Sequence, residues 1–139
     1  MFQNAAILGL LIGTCACTSH PQTYSPRRLE SGLTVQEIVV PNSLTAKDGD
    51  TVSIHYHGTL PGGQVFDSSV DRGQPLDFKL GDQVVPPGLE QGVRGMRLHG
   101  RRKLTAPIEL MFPAGAPDDL MVFELVYLEI ELLSIERSE

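Results

Sequence analysis

Three side chains in the stretch VSIHYHGTLPGGQVFDSSV, residues 52–70, have the types and spacing to build a reactive surface: Tyr56, Phe66 and Asp67. Val52, Ile54 and Tyr56 alternate with Ser53, His55 and His57, a period of two that puts the tyrosine on the apolar face of a strand. Phe66 beside Asp67 places a carboxylate at the edge of an aromatic surface, the make-up of a binding pocket. A second set is His55, His57 and His99, since two imidazoles two residues apart on a strand share a face and could meet a metal. No carboxylate or cysteine joins them at ligand spacing, so exposed strand histidines and no metal are expected.

The elements that must position these groups are legible from turn chemistry and hydrophobic period. After Leu60, Pro61-Gly62-Gly63 presets one turn dihedral and accepts a positive φ, so the chain reverses and Val65–Asp67 returns beside the first segment. Leu33, Val35 and Ile38–Val40 predict an earlier strand ended by Pro41, and Lys47–Asp50 predicts the turn into the strand of Tyr56. Leu76, Phe78 and Leu80 alternate with Asp77 and Lys79, predicting another half-buried strand. Pro86-Pro87 opens a helix in which Leu89, Val93 and Met96 follow helical spacing. Glycines 88, 92 and 95 would each cost about 1 kcal/mol in a helix interior, so packing against the sheet must hold it.

Lys103–Ala106 reads as a strand ahead of Pro107, and Phe112–Pro117 as a tight, proline-bounded connection. From Leu120 to Ile135 the apolar positions run Met121, Phe123, Leu125 and Tyr127, then change parity to Leu128, Ile130 and Leu132. A helix competes on length and glutamate content, but β-branched and aromatic enrichment favours a strand with a bulge at the switch. Phe123 then faces the same interior as Tyr56. The basic stretch of Arg94, Arg97, Arg101, Arg102 and Lys103 reads as a solvated turn and strand face.

These segments resemble the FKBP-type peptidyl-prolyl cis-trans isomerases. The resemblance rests on His55-Tyr56-His57-Gly58, Phe66-Asp67-Ser68-Ser69 and Asp71-Arg72-Gly73-Gln74-Pro75, and continues through Gly88–Val93, Lys103–Thr105 and Val122–Leu125 in the family's order. It implies an α+β fold: a twisted antiparallel sheet half-wrapped around one short helix. It also implies isomerisation of X-Pro bonds with no cofactor, proline-containing polypeptides as substrates, and binding of macrolide inhibitors. Tyr56, Phe66, Asp67 and Phe123 would be the catalytic set and Leu76, Val85, Pro86, Leu89 and Phe112 the substrate-binding set. Arg72 would orient Asp67, whose burial would otherwise be costly.

Three departures from the family pattern weaken the expected catalysis. Leu89 stands where a tryptophan usually forms the pocket floor, and Pro86 has no N–H where an isoleucine usually donates one to a substrate carbonyl. The loop over the pocket reads as reduced to Phe112–Pro117, leaving it more open. An FKBP-like holdase or binding module with little isomerase activity is therefore the alternative reading.

Composition bounds the rest. With 139 residues, 41% hydrophobic and 20% charged, the chain allows one globular domain, and 14 glycines with 10 prolines favour short strands and turns over a helical bundle. A formal charge of -6 argues against nucleic-acid binding. The apolar run Ala5–Gly13 is long enough for a signal h-region and too short to span a bilayer. Followed by small residues and cysteine, it resembles a bacterial lipoprotein signal, with Cys17 after Ala16 as the lipidated residue. The expected organisation is a signal peptide at 1–16, a linker at 17–32 and the isomerase domain at 33–139. The expected location is outside the cytoplasm, periplasmic or as a membrane-anchored lipoprotein.

Overall fold

The computed structural model describes residues 24–137. In chain order its elements are β1 (Arg27–Arg28), β2 (Thr34–Val39), β3 (Asp50–Thr59), β4 (Val65–Ser68), α1 (Ser69–Arg72), β5 (Leu76–Lys79), α2 (Pro87–Val93), β6 (Arg101–Pro107), α3 (Ile108–Met111) and β7 (Leu125–Arg137). The strands form one antiparallel sheet in the order β1-β2-β6-β7-β3-β4, with β5 also on β3. This is an α+β fold with α2 as its main helix. The single-turn helices α1 and α3 have too few residues to show a helical period in the sequence.

β3 is the strand on which the site is built. Val52, Ile54, Tyr56 and Gly58 alternate inward as the period of two predicts. One edge pairs with β7 from Asp50 to Thr59; on the other, β5 meets Thr51–Ile54 and β4 meets His57–Thr59. The partner therefore changes at His55 and Tyr56. Leu60 and Gly63 close the turn between β3 and β4 through Leu60 N–H to Gln64 C=O (2.8 Å) and Gly63 N–H to Leu60 C=O (2.9 Å).

The helix α2 buries Leu89 and Val93 in the same core as Leu104, Ile130 and Leu132, and it ends at Val93, so that Met96, expected on the helix, is buried three residues beyond its end. Its glycines are contact points: a Cβ on Gly92 would lie 2.2 Å from Leu104 Cδ1, so the helix approaches β6 too closely for any side chain. Arg102 corrects the reading of a wholly solvated basic stretch. It is 5% exposed, and its Nη1 donates to the carbonyls of Gly92 (3.0 Å) and Arg94 (2.8 Å) at the C-terminal end of α2. Its Nε and Nη2 meet Glu37 Oε1 at 2.7 and 2.6 Å. Arg94, Arg97, Arg101 and Lys103 are exposed as expected.

The last strand begins later than the pattern suggested. Met121 and Val122 are 62% and 77% exposed in the turn before it, and Leu120 is buried there. Inside β7 the inward series is Val126, Leu128, Ile130 and Leu132, unbroken, while Tyr127 faces out. The irregularity lies further on, where Ser53 pairs Ser134 but Ile54 pairs Leu132, leaving Leu133 as the extra residue. Residues 121–124 mimicked a strand because a non-strand segment carries alternating apolar side chains, of which Met121 is exposed and Phe123 packs against the core. The connection from β6 to β7 consequently spans Ile108–Glu124, longer than the reduced Phe112–Pro117 loop expected.

Part of the expected linker is ordered sheet. Arg27 and Arg28 pair with Val35 and Thr34, and Leu29 packs against the core. Two exposed arginines carry no periodicity, so only the tertiary pairing reveals this strand. The proposed signal peptide and Cys17 lie outside the described residues. No helix among the described residues is long and apolar enough to cross a membrane.

Asp50, at the start of β3, is 3% exposed, accepts Lys47 N–H at 3.0 Å and meets Arg137 Nε at 3.1 Å. Hydrogen bonding to Arg137 and to the Lys47 backbone outweighs burial and lowers its pKa. A depressed carboxyl stabilises the fold fully above the unfolded value of about 4, and that contribution is lost as pH falls through the folded value. Asp50→Asn is therefore expected to lower the urea midpoint at pH 7 and to flatten its decline below pH 4. A variant whose midpoint falls in parallel with wild type over that range would contradict the assignment.

Candidate active site

β4 and α1 deliver two charged groups, Asp67 and Arg72, to the end of the β3 tyrosine. The Tyr56 hydroxyl donates to Asp67 Oδ2 at 2.6 Å, Arg72 Nη2 donates to Tyr56 Oη at 2.8 Å, and Arg72 Nη1 donates to Asp67 Oδ1. The guanidinium also lies 5.6 Å from the Tyr56 ring centroid, within cation-π range. Burial, with a further contribution from the Asp67 carboxylate, pushes the Tyr56 phenol above its ordinary value; Arg72 opposes the shift. The phenol is thus the donor in this network. Arg72 is itself raised by its bonds to Tyr56 and Asp67.

Local capping explains how Arg72 arrives. Ser68 caps α1 by accepting Asp71 N–H at 3.2 Å, and Gly73, at φ 67, ends the turn in the left-handed region. One helical turn therefore carries the chain from Asp67 back to Arg72.

The carboxylate is less buried than expected. Asp67 and Arg72 side chains are 43% and 51% exposed, so the pair sits at a wet rim. Arg72→Ala is therefore expected to leave the urea midpoint near the wild-type value, because water can solvate the stranded carboxylate. A large loss of stability would show that the ion pair holds the fold as well as the rim.

Apart from Pro86, the remaining expected pocket residues pack on or into the core to which Tyr56 belongs. Tyr56 and Leu89 belong to the buried core, and Phe66, Leu76, Val85, Phe112 and Phe123 are half-buried and pack against it. The Phe66 and Phe112 rings are 6.3 Å apart at 58°. Phe66 lies across Gly58, where a Cβ would be 2.7 Å from its Cζ and 2.8 Å from its Cε1. Pro86 caps α2, its carbonyl accepting from Leu89 N–H (3.0 Å) and Glu90 N–H (3.1 Å). Its missing N–H removes a donor beside Val85.

The histidines are held elsewhere. His55 Nδ1 lies 3.0 Å from Ser69 Oγ and His57 Nδ1 3.0 Å from Ser68 Oγ, while His99 sits in a turn at φ 66. Across the sheet, Glu131 and Glu129 pair in register with His55 and His57, a proximity that sequence spacing cannot show. Among the described residues no group of three potential ligands is placed to hold a metal ion.

Sequence reasoning also missed four supporting residues. Gly58 makes room for Phe66; Ser69 is fully buried; Arg102 holds α2; and Glu90, 6% exposed inside α2, accepts Gly81 N–H with Oε1 and so ties down the segment before Pro86. Gly58 was visible only as part of a motif, and a buried serine, arginine or glutamate has the same sequence signature as an exposed one.

Comparison with known proteins places the sequence and the fold in one family. The family model described as FKBP-type peptidyl-prolyl cis-trans isomerase covers residues 42–133. FK506-binding protein 2 of Yarrowia lipolytica is 47% identical over 99 residues, covering 67% of this chain and 65% of its own length. FK506-binding protein 2 of Dictyostelium discoideum is 43% identical over 94 residues, covering 67% of this chain and 71% of its own. Among solved structures, FkpA from Escherichia coli superposes with a TM-score of 0.70 at 33% identity, over 82% of this chain and 53% of that one. AtFKBP13 has a TM-score of 0.68 at 31% identity, over 79% and 98%. The chain thus spans only part of the length of several proteins it matches. With its ordered motifs and its antiparallel sheet and short helix in agreement with that family match, the chain belongs to the FKBP-type peptidyl-prolyl cis-trans isomerase family.

Proposed function

We propose that this chain isomerises X-Pro bonds in exported polypeptides, from a position tethered to a membrane by Cys17. The observation that carries the catalytic part is the Tyr56–Asp67–Arg72 network, with Phe66, the neighbour of Asp67, in ring contact with Phe112. Rotation about the peptide bond faces a barrier of about 20 kcal/mol that arises from amide resonance. Resonance separates charge across the amide, so transfer from water to apolar walls weakens the double-bond character, and a surface fitted to the twisted amide lowers the barrier further. Leu89 supplies the floor under the proline ring. Asp67 is a polar contact at the rim with Tyr56 and Arg72 holding it, and no proton transfer or covalent step is required.

Pro86 makes this catalyst less efficient than a family member with a donor there. A hydrogen bond to substrate is worth about 0.5–1.5 kcal/mol, up to roughly tenfold in kcat/KM when it acts in the transition state. Pro86→Ile is therefore expected to raise kcat/KM in a protease-coupled assay on a short proline peptide. Equal rates for wild type and Pro86→Ile would remove the missing donor from the explanation, and no isomerisation by either would favour the holdase reading.

The export reading is supported by the Ala5–Gly13 apolar run and the Ala16-Cys17 sequence. It sets the mature start at Cys17 and a linker that ends where Arg27–Arg28 joins the sheet of the isomerase domain, outside the cytoplasm. Relatives named for binding FK506 support macrolide inhibition of this pocket as well. Intact-mass measurement on protein from its native host tests the tether: an acylated Cys17 terminus is expected, and an unlipidated terminus in the soluble fraction would exclude it.

A further inference from the structure

We infer that Ser69 is a positioning residue of the proline pocket, acting through the backbone of Tyr56; the inference rests on the isomerase reading of that pocket. At Tyr56 the outer edge of β3 passes from β5, whose pairing ends at Ile54, to β4, whose pairing begins at His57. An inward-facing strand residue between two partners needs another acceptor for its N–H. The carbonyl of Ser69 is not available, because it faces α1 and accepts from Gln74 N–H at 3.2 Å and from Gly73 N–H.

The Ser69 side chain takes its place. Its Oγ accepts Tyr56 N–H at 2.8 Å and lies 3.3 Å from Tyr56 O and 3.0 Å from His55 Nδ1, at a site with 0% exposure. Segment Asp67–Arg72 therefore holds Tyr56 at both ends: Ser69 fixes the main chain, and Asp67 with Arg72 fixes the hydroxyl. Rotation or slippage of β3 at this point would move the phenol relative to Asp67. Alanine at 69 keeps the chain's course but leaves a buried N–H without its acceptor.

The test combines hydrogen exchange with kinetics on the full chain. In Ser69→Ala the Tyr56 amide is expected to lose protection selectively among the β3 amides, with kcat/KM on a proline peptide falling about tenfold. Ser69→Thr, which keeps the hydroxyl, is expected to restore both. Leu33→Val, a core change away from this segment, serves as the stability control and is expected to retain activity. Unchanged Tyr56 exchange in Ser69→Ala overturns the inference, as does an equal activity loss in Leu33→Val at matched stability. Should the threonine methyl prevent folding, the comparison of Ser69→Ala with Leu33→Val decides. A wild type without isomerase activity overturns the functional reading instead, and Tyr56 exchange together with the Tyr56 ring resonances still decides whether Ser69 positions it.

Discussion

Gly58→Ala is expected to reduce kcat/KM by roughly a hundredfold while changing the unfolding midpoint little. The added methyl would meet Phe66 at 2.7 Å and the Asp67 carbonyl at 3.2 Å, so the half-buried ring must turn aside and the backbone give slightly. The backbone tolerates the change, because Gly58 is an ordinary strand residue outside the positive-φ set. Stability is thus preserved at the expense of the wall that faces Phe112. Since desolvation of the amide depends on that wall, its displacement acts on the transition state. Phe66→Ala should match the kinetic defect, and the double variant should be no worse than either single one, because both remove the same surface. Additive losses would mean that Gly58 acts by another route.

Arg102→Ala is expected to destabilise the domain by about 3–5 kcal/mol, read as a lowered midpoint in guanidinium chloride. The change strands Glu37, whose side chain is 27% exposed, and leaves the carbonyls of Gly92 and Arg94 without their donor. Most of that loss should come from the unpaired groups, so the pair need not be strongly stabilising in itself. Arg102→Met with Glu37→Leu is accordingly expected to recover much of the stability, apart from the share due to the α2 carbonyls. Because α2 carries Leu89, the alanine variant should also bind macrolides less tightly at temperatures where it remains folded. An Arg102→Ala domain as stable as wild type would place Arg102 among the solvated basic residues after all.

Read alone, the sequence yields the β3 strand and its inward Tyr56, the reversal at Pro61–Gly63 and the helix after Pro86. These are local properties: a two-residue alternation, a proline or glycine in a turn, apolar residues at helical spacing. It also placed Phe66 beside Asp67, and the structure brings Asp67 to the Tyr56 hydroxyl and Phe66 across Gly58. Only the tertiary structure decided which polar residues are buried. Arg102 shares the parity of the inward Leu104 and Ala106, but the Glu37 and the α2 carbonyls that allow a guanidinium to be buried there come from elsewhere in the fold, and Ser69 and Ser53 look alike in sequence; burial depends on what another segment brings across the sheet. The same is true of the β1 pairing, of the start of β7 at Leu125 and of the bulge at Leu133. Each is a matter of register between strands far apart in sequence, and hydrophobic period along one strand carries no information about its partner's alignment. The half-exposed setting of Asp67 belongs to this class: family likeness supplied its partners, but only packing around the rim determined how much water reaches them.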